Sequence, residues 1–401
     1  MSDSTAGAAG RWLSRDVLLL SLSAFFADMG YQAVTAVFPL LIVISLGQPA
    51  YVYGLLLALA YGVGSGFSLI GGKLGDRYGR KKLALLGNLL IPLMSVSVLF
   101  SNVAVVGALF VFGWWARYFR TPTRRAWLVE VSDPAHRSKI FGFLHALDVG
   151  GGMIAVAYSI VLVLAGTPLD QIVLVTAIPL LVSSFTLTLA GTRPHPNYAA
   201  SKPEEKGQPE GQERTNRFVF RWLLISATLF GFSYYALGFP IVTVAESQGS
   251  AVLGILTFGI YLGVSAFAGY LLGSVRGRRP FRTLWSLGYL LAAVSSLVIG
   301  ASYLLNYGLS LYYLGAAGLG FATGSVETFE PVITSVLVKS GRLSSGLGRL
   351  SSSRAVGLFV SNIVMGAIFT FSQFGSYLYA AATAVVAAVI LVAVELKTKI
   401  R

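Results

Sequence analysis

The sequence predicts an all-α membrane protein in which twelve transmembrane helices form two pseudo-symmetric six-helix bundles. Three observations predict this fold class. Apolar runs of about 20 residues, the length of a bilayer-spanning helix, recur along the chain. The composition is 55% hydrophobic and only 11% charged, with a mean hydropathy of +0.73. An internal repeat relates the two halves. Barrel strands are excluded because the runs are continuously apolar and do not alternate.

The predicted spans follow these apolar runs in order. The first run is too long for a signal-peptide core and is retained as a span. The 45 glycines would weaken soluble helices, but inside a membrane small residues allow helix backbones to approach closely. The twelve predicted spans are 17–46, 52–72, 83–101, 104–128, 140–165, 169–191, 218–245, 252–274, 283–304, 308–338, 351–372 and 375–394.

Lysine and arginine are concentrated in every second loop, and the loops between contain neither residue. By the positive-inside rule, we expect a multi-pass protein of the cell membrane (plasma or inner) with both termini in the cytoplasm. Of the 30 Lys and Arg residues, only Arg117 and Arg120 lie well inside an apolar run. The basic segments are 11–15, 73–82, 124–139, 193–221, 276–282, 339–354 and 397–401.

A polar stretch rich in Pro, Gly and Glu divides the chain. It predicts a cytoplasmic linker, 192–217, between an N-terminal bundle, 1–191, and a C-terminal bundle, 218–401. The halves resemble each other: "VYGLLLALAYGVGSGF" at 52 shares residues with "VLGILTFGIYLGVSAF" at 252. A duplicated six-helix unit is the simplest explanation.

Composition excludes several function classes. The net charge of +14 does not indicate nucleic-acid binding, because the basic residues form short clusters between apolar runs. The absence of cysteine excludes disulfides, thiolate metal sites and iron–sulfur clusters. No G-x-x-x-x-G-K-[ST] loop is present, so ATP is not the driver. We expect neither a cofactor nor a bound metal.

The loop after the second span, "GKLGDRYGRK", matches the pattern G-x-x-x-D-[RK]-x-G-[RK]-[RK]. With this motif, the topology and the repeat, the chain resembles the major facilitator superfamily over nearly its whole length, in a prokaryotic branch without an assigned substrate. It departs from the drug/proton antiporters of the family, which usually carry Gly-Pro in helix 5, because Ala155 and Val156 stand here. The matching residues are Gly72, Asp76, Arg77, Gly79, Arg80 and Lys81.

The resemblance implies alternating-access transport, with helices 1, 4, 7 and 10 around a central cavity and the loop motif acting as a gate. Asp76 would then hold the cytoplasmic helix ends together, with Arg124 or Arg125 as its partner. The alternative is that the basic residues anchor the loop and Asp76 forms an exposed ion pair, which contributes only ~0–1 kcal/mol.

Charges inside the spans fall on the helices that the resemblance places at the cavity. An ionisable group at mid-membrane costs at least about 2.5–3.5 kcal/mol, so these residues are functional candidates. Asp28 follows Arg15 by about 20 Å of helix, near the midplane. We expect it to carry a coupling proton or bind substrate; alternatively, it is a buried acid paired with an arginine. The other charges are Arg117, Arg120 and Arg124 in helix 4 and Glu327 and Glu330 in helix 10.

Contacts between these candidates are also predicted. An Arg120–Glu327 bridge would close the inner gate; substrate contact and ion pairing within one half are the alternatives. His145 and Asp148, one helical turn apart, either relay protons or satisfy each other structurally, and we favour the second interpretation. The aromatic and amide groups of helices 1 and 7 suit an amphipathic molecule or serve as interface anchors; they are Tyr31, Gln32, Tyr234 and Tyr235.

Together these features predict a proton-coupled secondary transporter that exports a small organic solute. Its expected partners are the small-molecule substrate, protons and the lipid bilayer, and we expect a monomer. The alternatives are a uniporter, an organic-anion or metal-ion carrier of the same fold, a channel, and a membrane-embedded enzyme. The repeat and the gate motif favour a carrier. An enzyme is disfavoured because no interfacial catalytic cluster is found beyond His145 and Asp148.

Overall fold

The computed structural model describes residues 12–133, 136–195, 210–231, 237–274, 279–338 and 343–398, which form thirteen helices and no strand. The helices are α1 (Arg15–Ser45), α2 (Ala50–Tyr78), α3 (Arg80–Leu99), α4 (Val103–Val131), α5 (Arg137–Leu164), α6 (Leu169–Leu189), α7 (Glu210–Gly231), α8 (Gly238–Gln248), α9 (Ala251–Ser274), α10 (Pro280–Leu304), α11 (Leu309–Leu337), α12 (Leu343–Phe371) and α13 (Gln373–Thr398).

The all-helical prediction is confirmed, but the count of twelve is not. The predicted seventh span, 218–245, falls on two helices, α7 and α8, between which residues 232–236 lie outside the described part of the chain. Within the described residues, nine helices are long and apolar enough to cross a membrane. Helices α4 and α11, which carry most of the intramembrane charges, are not among the nine.

Local sequence explains where several helices begin and end. The Ser14 hydroxyl accepts a hydrogen bond from the Val17 amide at the start of α1 (3.3 Å), and Asn102 Oδ1 accepts from the Ala104 amide at the start of α4 (2.9 Å). Both are N-caps that satisfy amides with no partner inside the helix. Between α2 and α3 the chain turns at Gly79, whose φ of 100° is readily available only to glycine.

The helix ends nearest the lysine- and arginine-rich loops meet at one end of the molecule. There the Gly191 amide donates to Asp16 Oδ1 (2.7 Å), Lys81 Nζ donates to the Ala190 carbonyl (2.6 Å), and the His195 amide donates to the Glu130 carbonyl (2.8 Å). We call this the basic end. We call the other end of the molecule, where α1 ends at Ser45 and α4 begins at Val103, the opposite end.

Helix neighbours in the first half recur in the second. Helix α1 packs against α5 as α7 packs against α12, α2 against α4 as α9 against α11, and α3 against α4 as α10 against α11. The internal repeat read from the sequence therefore corresponds to repeated packing. The division at 192–217 stays a prediction, since residues 196–209 lie outside the described residues.

The two halves contact each other closely toward the opposite end. A Cβ atom at Gly54 of α2 would lie 2.3 Å from the Asn362 carbonyl oxygen of α12 and 3.0 Å from Gly366 Cα. A Cβ at Gly259 of α9 would lie 2.9 Å from Val156 Cγ1 of α5. Such backbone approach requires small residues. The opposite end is therefore closed.

We expect Gly54→Leu to open this seam, because the new side chain cannot fit against the α12 backbone. Spin labels at Ser101→Cys and Tyr307→Cys, one in each half, should move apart in the purified protein. Every introduced cysteine is unique, since the chain has none.

The matched control is Gly66→Leu on the same helix, where no atom lies within 4 Å of a Cβ. An unchanged 101–307 distance in Gly54→Leu would show that the seam does not hold this end closed.

Candidate functional site

A cavity of about 920 Å³ lies between α1 and α5 of the first half and α9 and α11 of the second. Its lining extends from Gly152, near the Gly259–Val156 contact, to Gly142 and Tyr270, which are closer to the basic end. The cavity therefore opens toward the basic end. Its titratable carboxyl and imidazole side chains are Asp28, His145, Asp148 and Glu327, and among the described residues no Lys or Arg lines it.

Three predicted residues meet beside this cavity. Asp28 is only 5% exposed and accepts a hydrogen bond from the Tyr31 hydroxyl, which in turn accepts from Arg117 Nη2 (3.2 Å). The Arg117 guanidinium lies 4.3 Å from the Tyr31 ring centre and 5.0 Å from that of Trp114. Arg117 thus reaches Asp28 through a tyrosine and is itself held by aromatic faces.

Helix α5 brings a second carboxylate to Asp28. A Cβ at Gly151 would lie 3.2 Å from Asp28 Cβ, so the helices touch there. Asp148, one turn earlier on α5, lines the same cavity and is close enough to interact electrostatically with Asp28. Among the described residues Asp148 Oδ1 is buried without a hydrogen-bond partner. The favoured pairing of His145 with Asp148 is therefore not found.

The predicted Arg120–Glu327 bridge, which would close the inner gate, is not formed in this arrangement, in which the basic end is open. Arg120, 1% exposed, donates from Nη1 to Asn88 Oδ1 of α3 at 2.8 Å. Gly87 makes room for it, because a Cβ there would lie 2.9 Å from Arg120 Cβ. Glu327 instead pairs with Arg354 Nη1 at 2.5 Å. Helix α4 therefore turns Arg120 toward α3, away from the second half.

Arg354 is a residue that the sequence reading missed. Its Nε donates to Glu330 Oε2 at 2.6 Å, while the Tyr289 hydroxyl donates to Glu330 Oε1 at 2.7 Å. Glu330 is fully buried. Arg354 was counted with the basic segment 339–354 because it lies in the first turn of the predicted span, 351–372, but the chain is helical from Leu343 and Arg354 lies three turns further along. An alignment of the internal repeat that matches α12 to α5 could have indicated that Arg354 lies inside a helix.

The loop motif makes its described contacts within the first half. Asp76, with a side chain 67% exposed, pairs with Arg80 at 3.1 Å, and Arg80 also pairs with Glu130 of α4 at 2.8 Å. The predicted partner, Arg124 or Arg125, is therefore wrong in this arrangement; Asp76 at the end of α2 pairs across the Gly79 turn with Arg80, the first residue of α3. Arg77 lies over the Tyr78 ring, and a Cβ at Gly72 would lie 3.8 Å from Pro122. The gating role of the motif stays a prediction.

The remaining candidates divide into three cases. Gln32 lines the cavity beside Asp28. Arg124 is 4% exposed, and its Nε and Nη1 atoms have no hydrogen-bond partner among the described residues. Tyr234 and Tyr235 lie outside the described residues.

Comparisons with known proteins agree with this architecture. The sequence profile of the Major Facilitator Superfamily matches residues 20–340. Similar solved structures include a POT family transporter in complex with 5-aminolevulinic acid (TM-score 0.75, 13% identity, 96% of each chain covered) and a mutant of the nucleoside transporter NupG (TM-score 0.74, 12% identity, 94% of this chain and 99% of the other covered).

A third similar structure is a bacterial homolog of the human lysosomal transporter Spinster in an inward-facing, unoccupied conformation (TM-score 0.70, 13% identity, 97% of each chain covered). At these identities the likeness concerns the fold. No curated protein sequence matches the chain significantly.

Proposed function

Because this chain belongs to the Major Facilitator Superfamily, and so is a membrane transport protein and not an enzyme, we propose that it exports a small organic solute in exchange for protons by alternating access. The observation that carries the proposal is the placement of Asp28. It is a buried carboxyl group on the wall of a cavity between the two halves, within electrostatic reach of a second carboxyl group, Asp148.

The proposed cycle uses this geometry directly. With the basic end open, Asp28 releases its proton on that side and the cavity takes up solute. The halves then rock, the α2–α12 seam at Gly54 separates, and solute leaves at the opposite end as Asp28 is protonated again. The Tyr31 hydroxyl, which itself accepts a hydrogen bond from Arg117, donates to Asp28 and holds its side chain in place for this step. We further propose that α7 and α8 belong to one span, which gives twelve spans.

The cavity wall supports a solute with a positive charge. Asp28, Asp148 and Glu327 line it, and opposite charges attract strongly where little water competes. Arg117, the candidate for binding an organic anion, is engaged by Tyr31 and Trp114. The structural neighbours are described with 5-aminolevulinic acid and as a nucleoside transporter, so these solute classes belong in any test. Anion carriage and uniport are the second candidates.

Proton flux in proteoliposomes tests this function. The purified chain is reconstituted with an acidic lumen and a trapped pH-sensitive dye, and four probes are added in turn: tetraethylammonium, benzoate, uridine and 5-aminolevulinic acid. We expect tetraethylammonium to dissipate the pH gradient faster than in protein-free liposomes. A gradient that no probe dissipates would contradict proton-coupled exchange of these solute classes, and dissipation by benzoate alone would favour the anion carrier.

We also propose that the basic end faces the cytoplasm, which makes export outward from the cell. A membrane-impermeant thiol reagent on intact cells should label Ser101→Cys and Ser372→Cys, which are exposed at the opposite end, but not Thr192→Cys, which is exposed at the basic end. The physical reason is the retention of Lys and Arg loops on the cytoplasmic side. Labelling of position 192 from outside would reverse the orientation.

A further inference from the structure

The second half contains a buried ion pair between α11 and α12. Arg354 of α12 donates to Glu330 of α11 at 2.6 Å, and Glu330 is completely shielded from solvent. Arg354 also pairs with Glu327 one turn earlier on α11. The pair ties two helices that are consecutive in the chain.

The packing fixes which first-half residues correspond to this pair. Helices α4 and α11 both have 29 residues and begin at Val103 and Leu309, an offset of 206. Arg120 and Val326, which this offset aligns, occupy equivalent positions, because each packs against a glycine of the preceding helix. A Cβ at Gly87 of α3 would lie 2.9 Å from Arg120 Cβ, and a Cβ at Gly288 of α10 would lie 2.9 Å from Val326 Cγ2.

Helices α5 and α12 follow the same offset. Gly151 of α5 corresponds to Gly357 of α12 at this offset. Gly151 contacts the backbone of α1 at Phe25, and Gly357 contacts the backbone of α7 at Thr228, so both glycines occupy the same crossing in their halves.

At this offset Arg124 corresponds to Glu330, and Asp148 corresponds to Arg354. The first half therefore has the same pair of positions with the charges exchanged: the base lies on α4 and the acid on α5. The pair is not formed here. Asp148 Oδ1 and both Nε and Nη1 of Arg124 are buried and have no hydrogen-bond partner among the described residues. Burying polar atoms of charged groups without hydrogen-bond partners costs free energy, and pairing the two opposite charges reduces that cost.

We propose that Arg124 and Asp148 form the first-half counterpart of the Glu330–Arg354 pair when the basic end closes. The proposal rests on the alternating-access function put forward above. With the basic end open, Asp148 lines the cavity that is available to solute. Closure removes that space, and Arg124 is the partner whose position the repeat supplies. Asp148 then alternates between the cavity and Arg124, which makes both of them positioning residues for transport.

Charge exchange tests the pair, because Arg124→Glu with Asp148→Arg copies the arrangement of the second half. The full-length protein carries spin labels at Thr192→Cys and Arg282→Cys, which report separation of the halves at the basic end. We expect wild type to populate a short and a long distance. Each single charge reversal should lower the ratio of short to long distance by about tenfold or more, the effect of losing one charge-assisted hydrogen bond, and the double exchange should restore it.

The neighbouring Arg125 is exposed, corresponds to Pro331 and is close enough to Asp148 to interact with it electrostatically, so it is the rival partner that the test must separate from Arg124. Arg125→Glu combined with Asp148→Arg should not restore the short distance. If a charge reversal prevents folding, Asp148→Asn should lose the short distance and Asp148→Glu should keep it.

A double exchange no better than the worse single reversal overturns the pair, as does equal rescue by Arg125→Glu. Wild type with a single distance, with and without tetraethylammonium, overturns alternating access itself and the pair with it. Two wild-type distances without rescue overturn only the pair.

Discussion

Asp28→Asn is expected to abolish proton-coupled transport while leaving solute exchange intact. Asparagine keeps the size of the side chain and can still accept the Tyr31 hydrogen bond, but it cannot bind or release a proton. In proteoliposomes with an imposed pH gradient, proton flux evoked by the active probe should fall to the rate of protein-free liposomes. Exchange of labelled for unlabelled probe across the membrane without a gradient should continue.

Asp170→Asn is the matched control. Asp170 is exposed near the opposite end, at the start of α6, so its substitution removes the same charge without touching the cavity. It should leave coupled flux unchanged. Persistence of gradient-driven flux in Asp28→Asn would place the coupling group elsewhere, with Glu327 the next candidate, or would mean that the driving ion is not a proton.

Arg354→Ala is expected to destabilise the protein by about 3–5 kcal/mol, the cost typical of removing one partner of a buried ion pair. The substitution leaves Glu330 fully buried, with the Tyr289 hydroxyl as its one remaining hydrogen-bond partner in the described part of the chain. The free energy of unfolding, measured in detergent with increasing denaturant, reports the loss. Combining Arg354→Met with Glu330→Gln should recover most of it, because glutamine still accepts from Tyr289 and no unpaired charge remains.

Two variants make this test specific. Arg349→Ala removes an exposed arginine from the same helix and should change the unfolding free energy by less than about 0.5 kcal/mol. Glu327→Gln should cost less than about 1 kcal/mol, since that side chain is 54% exposed. An Arg354→Ala protein as stable as the Arg349→Ala protein would show that the pair contributes nothing to stability.

Some site residues were accessible from the sequence because the membrane makes them conspicuous. A charged side chain inside an apolar run is costly, so Asp28, Arg117 and Glu327 stand out without any structure. Arg354 did not stand out, because it lies in the first turn of the predicted span, 351–372, next to the basic segment 339–354. A hydropathy pattern locates a helix end less well than a helix centre when the helix continues into a polar segment.

Spacing along a helix identifies residues on one face but not the neighbour that the face meets. Arg117 and Arg120 lie one turn apart on α4, yet Arg117 turns to Tyr31 of α1 and Arg120 to Asn88 of α3. The difference arises from the glycine at position 87, which admits Arg120 beside α3. In the same way Asp76 pairs with Arg80, because the turn at Gly79 brings the end of α2 and the start of α3 together.

The sequence by itself determined that this is a helical membrane protein with a repeated unit, basic loops at one end and charges on a few inner helices. Each of these properties follows from hydropathy or charge along the chain, which local composition records. Only the tertiary structure decided which charges pair, that Arg120 turns toward α3 and away from the cavity, that Arg354 pairs with the buried Glu330, and that the halves meet at Gly54. These outcomes depend on how closely two backbones approach, a distance set by small residues on separate helices that no single stretch of sequence contains.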